Sequence, residues 1–240
     1  MDWGSEGLFA RHLEASRDFL DIGANVGYYS MYCAPLVRRV VSFDPDPRNH
    51  VALEENRLRA NNISIQKMAL GGTPGDGILE MQADSAVSRL AEGSQALGTT
   101  LRVAVSTIDA FLAEDKTLNL GAIKLDTEGT ELEILRGGQS AIAQWQPLIL
   151  AELQRNPGEG EKQALEFQEF SAAMGYRLFA YVPIHSGVFH TESFYLVALD
   201  STTFKRNSTK MIFLVPPRLQ CEFEAETNRN QSVAPSSDLL

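Results

Sequence analysis

The chain has 240 residues, 44% of them apolar and 22% charged, which suits a single α/β domain with a full core better than a disordered or disulfide-stapled chain. A net charge of −10 argues against a broad phosphate-backbone footprint, so no nucleic-acid partner is expected. Cys33 and Cys221 sit in unlike contexts and fit neither a disulfide nor zinc-ligand spacing. No apolar run approaches a membrane span and the opening does not read as a signal peptide, so a cytoplasmic location is expected.

Residues 1–17 read as a short helix with Leu8, Phe9 and Leu13 on its apolar side. It leads into Phe19-Leu20-Asp21-Ile22-Gly23-Ala24-Asn25-Val26-Gly27-Tyr28-Tyr29, where an apolar run gives way to two spaced glycines and an aromatic run at helical spacing. That is a buried strand at 18–22, a tight turn and a helix from about 27 to 36. Glycines let the backbone bring N–H groups close to a ligand, and the helix start adds unpaired donors. The order Asp-x-Gly-x-Asn-x-Gly lacks the third glycine of a dinucleotide fingerprint, and bulky Tyr28 follows Gly27. A smaller ligand with a carboxylate and an amine fits better. Asp21 would accept from the amine, and the amides around Gly23, Asn25 and Gly27 would take the carboxylate.

Strand two, at 40–43, ends in Asp44-Pro45-Asp46-Pro47. An acidic residue about 20 positions past the glycine turn is where a ribose is gripped, so Asp44 is the expected ligand with Pro45 beside it. Asp46 reads as the N-cap of a helix at 47–60 with Pro47 at its first position and Val51 and Leu58 facing the sheet. Strand three covers 63–67 and runs into Met68-Ala69-Leu70. Strands at 78–81 and 101–106 then flank a small, polar stretch, 82–100, expected to form a flap over the substrate; it contains Ser85, Ser88 and Arg89. A short helix follows at 106–113.

Strand four, at 122–125, ends in Asp126-Thr127-Glu128-Gly129-Thr130-Glu131. In an open α/β sheet the ligand crevice lies at the carboxyl ends of the strands beside the topological switch, so Asp126 is expected across from Gly23. Glu128 is a second site candidate. Glu131 divides between the site and the helix dipole, and Thr130 with Glu133 reads as a capping box. No metal is expected, because no further group converges on these carboxylates. The helix continues to about Trp145. Strand five, at 147–150, ends near Glu152, and a helix marked by Leu165, Phe167, Phe170 and Met174 follows. Strands at 176–181 and 193–199 are separated by a loop, 182–192, which carries His185 and His190. Residues 210–215 add a strand or dock on the domain. The expected organisation is one domain at 1–200, an extension at 201–221 and a disordered tail at 222–240.

Asp21-Ile22-Gly23-Ala24-Asn25-Val26-Gly27-Tyr28-Tyr29-Ser30 and Lys124-Leu125-Asp126-Thr127-Glu128-Gly129-Thr130-Glu131 resemble the two characteristic motifs of FkbM-family methyltransferases, within the class I S-adenosylmethionine-dependent enzymes. The resemblance covers roughly 18–200. It implies a Rossmann-like α/β fold, with a mostly parallel sheet, one antiparallel strand near the C-terminal end and helices on both faces. It also implies S-adenosyl-L-methionine as cofactor, with O-methylation of a hydroxyl on a sugar, polyketide or other small metabolite; the partner is then a small-molecule or glycan acceptor. The family's usual Phe-Glu-Pro is Phe43-Asp44-Pro45 here, one methylene shorter. Ala69 would lie beside the adenine ring. Asp126, then Glu128, then His185 are the candidates to take the hydroxyl proton, and Asp126 would also favour a cationic cofactor by charge. Two other classes stay open. A nicotinamide-dependent oxidoreductase is opposed by the missing glycine, and a non-catalytic cofactor-binding protein by the intact acidic turn.

Overall fold

The computed structural model describes residues 5–82, 88–90, 99–153, 159–183, 194–199 and 211–230. The chain forms two compact units, residues 12–147 and residues up to 11 together with those from 148 onward. The first helix, α1 (Ser5–Arg11), therefore belongs with the C-terminal half. The larger unit runs β1 (Asp18–Ile22), α2 (Tyr28–Cys33), β2 (Arg39–Phe43), α3 (Pro47–Arg57), β3 (Ile63–Gln66), β4 (Ala69–Leu70), β5 (Gly75–Met81), β6 (Arg89–Leu90), β7 (Thr99–Ser106), α4 (Ile108–Glu114), β8 (Leu120–Leu125), α5 (Glu131–Arg136) and α6 (Gln139–Trp145).

Strands β8, β1, β2 and β3 lie side by side in that order and are all parallel, in keeping with the expected fold class. Strands β1 and β8 are buried along their whole length, including the charged residues Asp18, Asp21 and Lys124. Their register pairs Ile22 with Phe43 on one side and with Leu125 on the other. Gly23, Asp44 and Asp126 each follow the last residue of a strand, so the topology gathers all three on one rim. Strands β4, β7, β5 and β6 make a second sheet in the same unit, with Ala69, Leu79 and Val103 as its buried core.

Helix α3 starts as expected, with the Asp46 side chain accepting from the Arg48 amide and Pro47 in the first turn. Its buried face is not the expected one. Asn49 and Leu53, four apart, are buried, whereas Val51 and Leu58 are 68% and 76% exposed. The cap at Asp46 fixes the phase of the helix, and residues seven apart share whichever face that phase turns outward. The helix expected to run unbroken to Trp145 is divided at Gly137-Gly138. A Cβ on Gly137 would come within 2.3 Å of the Gly71 carbonyl oxygen, so no side chain fits at the break between α5 and α6.

The second unit comprises α1, β9 (Leu148–Glu152), α7 (Glu159–Ala173), β10 (Arg177–Pro183), β11 (Phe194–Ala198), β12 (Met211–Val215) and α8 (Gln220–Asn230). Its strand order is β11-β10-β12-β9. Two strands run antiparallel to their neighbours, one more than expected. The one inserted between β9 and β10 is β12, and 194–198 is the edge. Residues 211–215 are thus an interior strand, buried throughout, rather than an extension of a domain ending at 200. The segment from Glu222, read as a disordered tail, is helical as far as Asn230. Phe223 is fully buried there, with its ring centroid 5.5 Å from that of Phe179 and 5.4 Å from that of Phe213. Among the described residues no helix is long and apolar enough to cross a membrane. Both cysteines are free, and Cys33 is buried with its thiol pushed up by burial and then by the Asp21 charge.

Candidate functional site

Gly23 has φ +72°, and a Cβ there would lie 2.0 Å from the Asp126 carbonyl oxygen. The glycine turn and the acidic turn therefore touch backbone to backbone, and only glycine fits the contact. The turn amides do not form the carboxylate cradle expected of them. Those of Gly23 and Ala24 both donate to the Phe43 carbonyl at 3.0 Å, that of Asn25 to Asp44 Oδ2 at 2.8 Å, and that of Gly27 to the Ala24 carbonyl at 2.8 Å. Left-handed residues at Gly23, Asn25 and Gly27 curl these donors back onto the turn itself and onto the end of β2.

Asp44 is the clamp on that turn. It is 5% exposed. Its Oδ2 accepts from the Asn25 amide, and its Oδ1 accepts from the Asp46 amide at 2.9 Å and from Asn49 Nδ2 at 3.1 Å. Burial raises its carboxyl despite these donors. A bidentate grip on two ribose hydroxyls is therefore not the geometry present: the short side chain binds its own loop, leaving capacity on Oδ2 for one further donor. Pro45 faces the cavity described below. For Asp46 burial works upward, but the Arg48 guanidinium and amide outweigh it and hold the carboxyl below its usual range. Arg48 also donates to the Gln82 carbonyl at 2.6 Å and to Ser88 Oγ at 2.8 Å, fastening both flanks of residues 83–87.

Beneath the two turns lies a buried charged cluster that the motif reading missed. Asp21 is fully buried and does not reach the cavity, so it is not an open acceptor for a ligand amine. Its Oδ2 accepts from Ser30 Oγ at 2.5 Å, and its Oδ1 lies 3.7 Å from Lys124 Nζ. Burial raises the Asp21 carboxyl against the opposing pull of Lys124 and Ser30. Lys124 is 3% exposed, donates to the Gly23 carbonyl at 2.9 Å, and lies 3.5 Å from Asp126 Oδ2. The sequence signal was available: a lysine inside the apolar run Ala122-Ile123-Lys124-Leu125, where an unpaired ammonium would be costly.

The acidic turn is organised by Glu131, not by a capping box. Thr130 makes no side-chain cap. Instead Glu131 Oε1 accepts from the Thr127 amide at 2.8 Å, Thr127 Oγ1 at 3.0 Å and the Gly129 amide at 3.2 Å. Glu131 is fully buried, and burial raises its carboxyl. Glu128 takes a left-handed conformation, φ +58°, which for a residue with a Cβ costs about 1–2 kcal/mol.

A partly open cavity lies on this rim. Ile22, Phe43, Met68, Leu70 and Leu79 give it apolar walls, and Gly23, Pro45 and Ala69 bring backbone close. Asp126 and Thr127 supply polar groups, and Ser88, Arg89 and Leu90 form a further wall. Asp126 is half-buried, with its side chain 29% exposed. Of the expected site residues, Gly23, Pro45, Ala69 and Asp126 come together here. Asp21, Asn25, Gly27 and Asp44 support the rim without lining the cavity, and neither does Glu128 line it. His185, His190 and most of the expected flap at 82–100 lie outside the described residues. Such a cavity can hold a flat, largely apolar group against the walls and a polar or cationic group beside Asp126.

The methyltransferase FkbM domain profile matches residues 21–178. Hexuronic acid methyltransferase AglP of Haloferax volcanii is 28% identical over 125 residues, 51% of this chain and 50% of that protein. The crystal structure of methyltransferase FkbM from Methylobacillus flagellatus KT superposes with a TM-score of 0.55 at 17% identity, covering 84% of this chain and 44% of that one. The chain thus spans about half the length of these relatives. The structural likeness speaks for the Rossmann-like fold. The matched region takes in both strand-end turns and the cavity at their rim, and the chain belongs to the FkbM methyltransferase domain family.

Proposed function

We propose that the chain is an S-adenosylmethionine-dependent methyltransferase acting on a hydroxyl of a sugar, polyketide or other small metabolite, with a sugar as the first acceptor to test. The observation that carries this reading is the cavity at the ends of β1, β2 and β8, where Gly23, Pro45, Ala69 and Asp126 meet. The residues present fit an adenosyl cofactor. Met68, Ala69 and Leu70 offer a flat apolar seat for the adenine ring, and Asp126 offers negative charge. Asp44 would add one bond to the ribose through its remaining capacity on Oδ2.

When bound, the cofactor supplies a methyl group already activated on a sulfonium. The protein's task is then mainly alignment of the acceptor oxygen, together with removal of its proton. Asp126 is the first candidate for that proton, because its carboxylate lines the cavity. Glu128 and His185 remain further candidates. The hexuronic acid named for the Haloferax volcanii relative favours a sugar acceptor, and a net charge of −10 favours a small molecule or glycan over nucleic acid.

Calorimetric titration with S-adenosylmethionine, S-adenosylhomocysteine and NADH tests the reading. Micromolar binding of both adenosyl ligands without NADH supports it, and transfer of labelled methyl to a panel of hexuronic acids and neutral sugars then identifies the acceptor. Binding of NADH alone would replace it with the oxidoreductase reading. Binding of none of them to folded protein would remove the cofactor assignment.

A further inference from the structure

Lysine is rarely buried unless its ammonium is paired, and Lys124 is 3% exposed near the end of an otherwise apolar strand. Its Nζ reaches the end of β1, the end of its own strand and α2: the Gly23 carbonyl lies at 2.9 Å, Asp126 Oδ2 at 3.5 Å, Asp21 Oδ1 at 3.7 Å and the Tyr29 ring centroid at 5.3 Å. The distances rank these contacts. Neutralising Asp21 explains why a cation is tolerated here, but Asp21 Oδ1 receives no hydrogen bond, while the Gly23 carbonyl does. The ammonium is thus seated toward the two turns rather than centred on its buried counter-ion. Gly23 and Asp126 both line the cavity, and neither turn has much room to move: the Gly23 Cα already packs on the Asp126 carbonyl.

We propose that Lys124 is a positioning residue, whose ammonium ties the Gly23 carbonyl and the Asp126 carboxylate into one arrangement and so preforms the cavity floor. Orienting the Gly23 peptide also orients the turn that follows it, and holding Asp126 Oδ2 fixes which carboxylate oxygen is left to face a ligand. The binding part of this role rests on the cofactor reading above. The coupling of the two turns rests on geometry alone.

The competing account is that Lys124 only neutralises Asp21. Lys124→Met by itself does not separate the two, because it strands a buried carboxylate and threatens the fold. The test compares the parent, Asp21→Asn and Lys124→Met/Asp21→Asn. The readouts are amide hydrogen exchange across residues 23–27 and 126–130 and calorimetric titration with S-adenosylhomocysteine. A charge-assisted hydrogen bond implies an effect of roughly tenfold or more. The double variant should therefore exchange at least about tenfold faster in both turns and bind the ligand about tenfold more weakly, while Asp21→Asn keeps parental exchange there. Parental exchange in a folded double variant would overturn the proposal. So would Asp21→Asn loosening both turns as much as the double variant does. If the double variant does not fold, Asp21→Asn against the parent decides: exchange at least about tenfold faster in both turns overturns the proposal, and parental exchange upholds it. If the parent binds no S-adenosylhomocysteine while exchange still accelerates in the double variant, the cofactor reading fails and the positioning role stands.

Discussion

Replacing Gly23 by alanine tests whether the two turns meet backbone to backbone. Two costs are separable, because Gly27 in the same turn has a similar conformation, φ +88° against +72°. An L-residue in the left-handed region costs about 1–2 kcal/mol at either position. At Gly27 the new methyl would approach Leu53 Cδ2 at 3.0 Å, the end of a side chain that can rotate aside. At Gly23 it would lie 2.0 Å from the Asp126 carbonyl oxygen. That peptide is held through its own N–H, with the Thr127 amide donating to Glu131 Oε1 at 2.8 Å, and the peptide before it by the strand ladder, with the Asp126 amide donating to the Ile22 carbonyl at 3.2 Å. Relief then requires prising β1 and β8 apart at their ends, an overpacking cost of about 1–3 kcal/mol. Gly27→Ala should cost about 1–2 kcal/mol and Gly23→Ala about 2–5 kcal/mol in total. At roughly 2–4 °C per kcal/mol for a chain of this size, melting should fall by roughly 2–8 °C and 4–20 °C respectively. Urea and thermal unfolding followed by circular dichroism would measure both. A Gly23→Ala variant as stable as Gly27→Ala would refute the close contact and the cavity geometry built on it.

Asp126→Asn should lower turnover by about 10²–10⁴ while leaving S-adenosylhomocysteine affinity nearly intact; undiminished labelled-methyl transfer would exclude Asp126 as the base. Asp44→Ala strips the acceptor from two amides and from Asn49, and should cost about 2–4 kcal/mol in urea unfolding. Unchanged stability would mean that the clamp holds nothing. For Glu131 the folded carboxyl is raised above its ordinary value of 4.5, so folding favours the protonated form. The stability this group contributes is complete below about pH 4.5 and is lost as pH rises through the higher folded value. The melting temperature of the parent relative to Glu131→Gln should therefore decline from about pH 4.5 upward, and a difference independent of pH across that window would refute the burial argument.

Much of the frame was legible because its signals are local. The apolar run into Gly23, the cap at Asp46 and the acidic turn after Leu125 each identify themselves within a few residues, and the parallel order of β8, β1, β2 and β3 follows from where the ligand crevice of such a sheet must lie. What stayed hidden is set by long-range packing. Nothing local says that the Gly23 and Ala24 amides will turn to Phe43, or that Asp44, shortened from the family's glutamate, will bond Asn25. Lys124 sat in plain view, but its role depends on the β1 end, with Asp21 and Gly23, pairing beside its own strand about a hundred residues away in sequence. Helix α8 was invisible for a different reason. A single aromatic, Phe223, anchors an otherwise polar stretch, and composition averages that anchor away.

The place of β12 bears on how the chain is made. It follows every other described strand in sequence, yet it pairs with β9 on one side and β10 on the other. During synthesis, β9 and β10 emerge first and wait with facing edges unpaired until residues 211–215 leave the ribosome. Unpaired strand edges invite association with other chains, so this interval is a window of exposure. Shortening the protein from its C-terminal end before Val215 would remove a middle stave rather than an outer one. The described part of the C-terminal unit is therefore closed by a late strand, and premature termination before it should yield aggregates instead of a trimmed but folded protein.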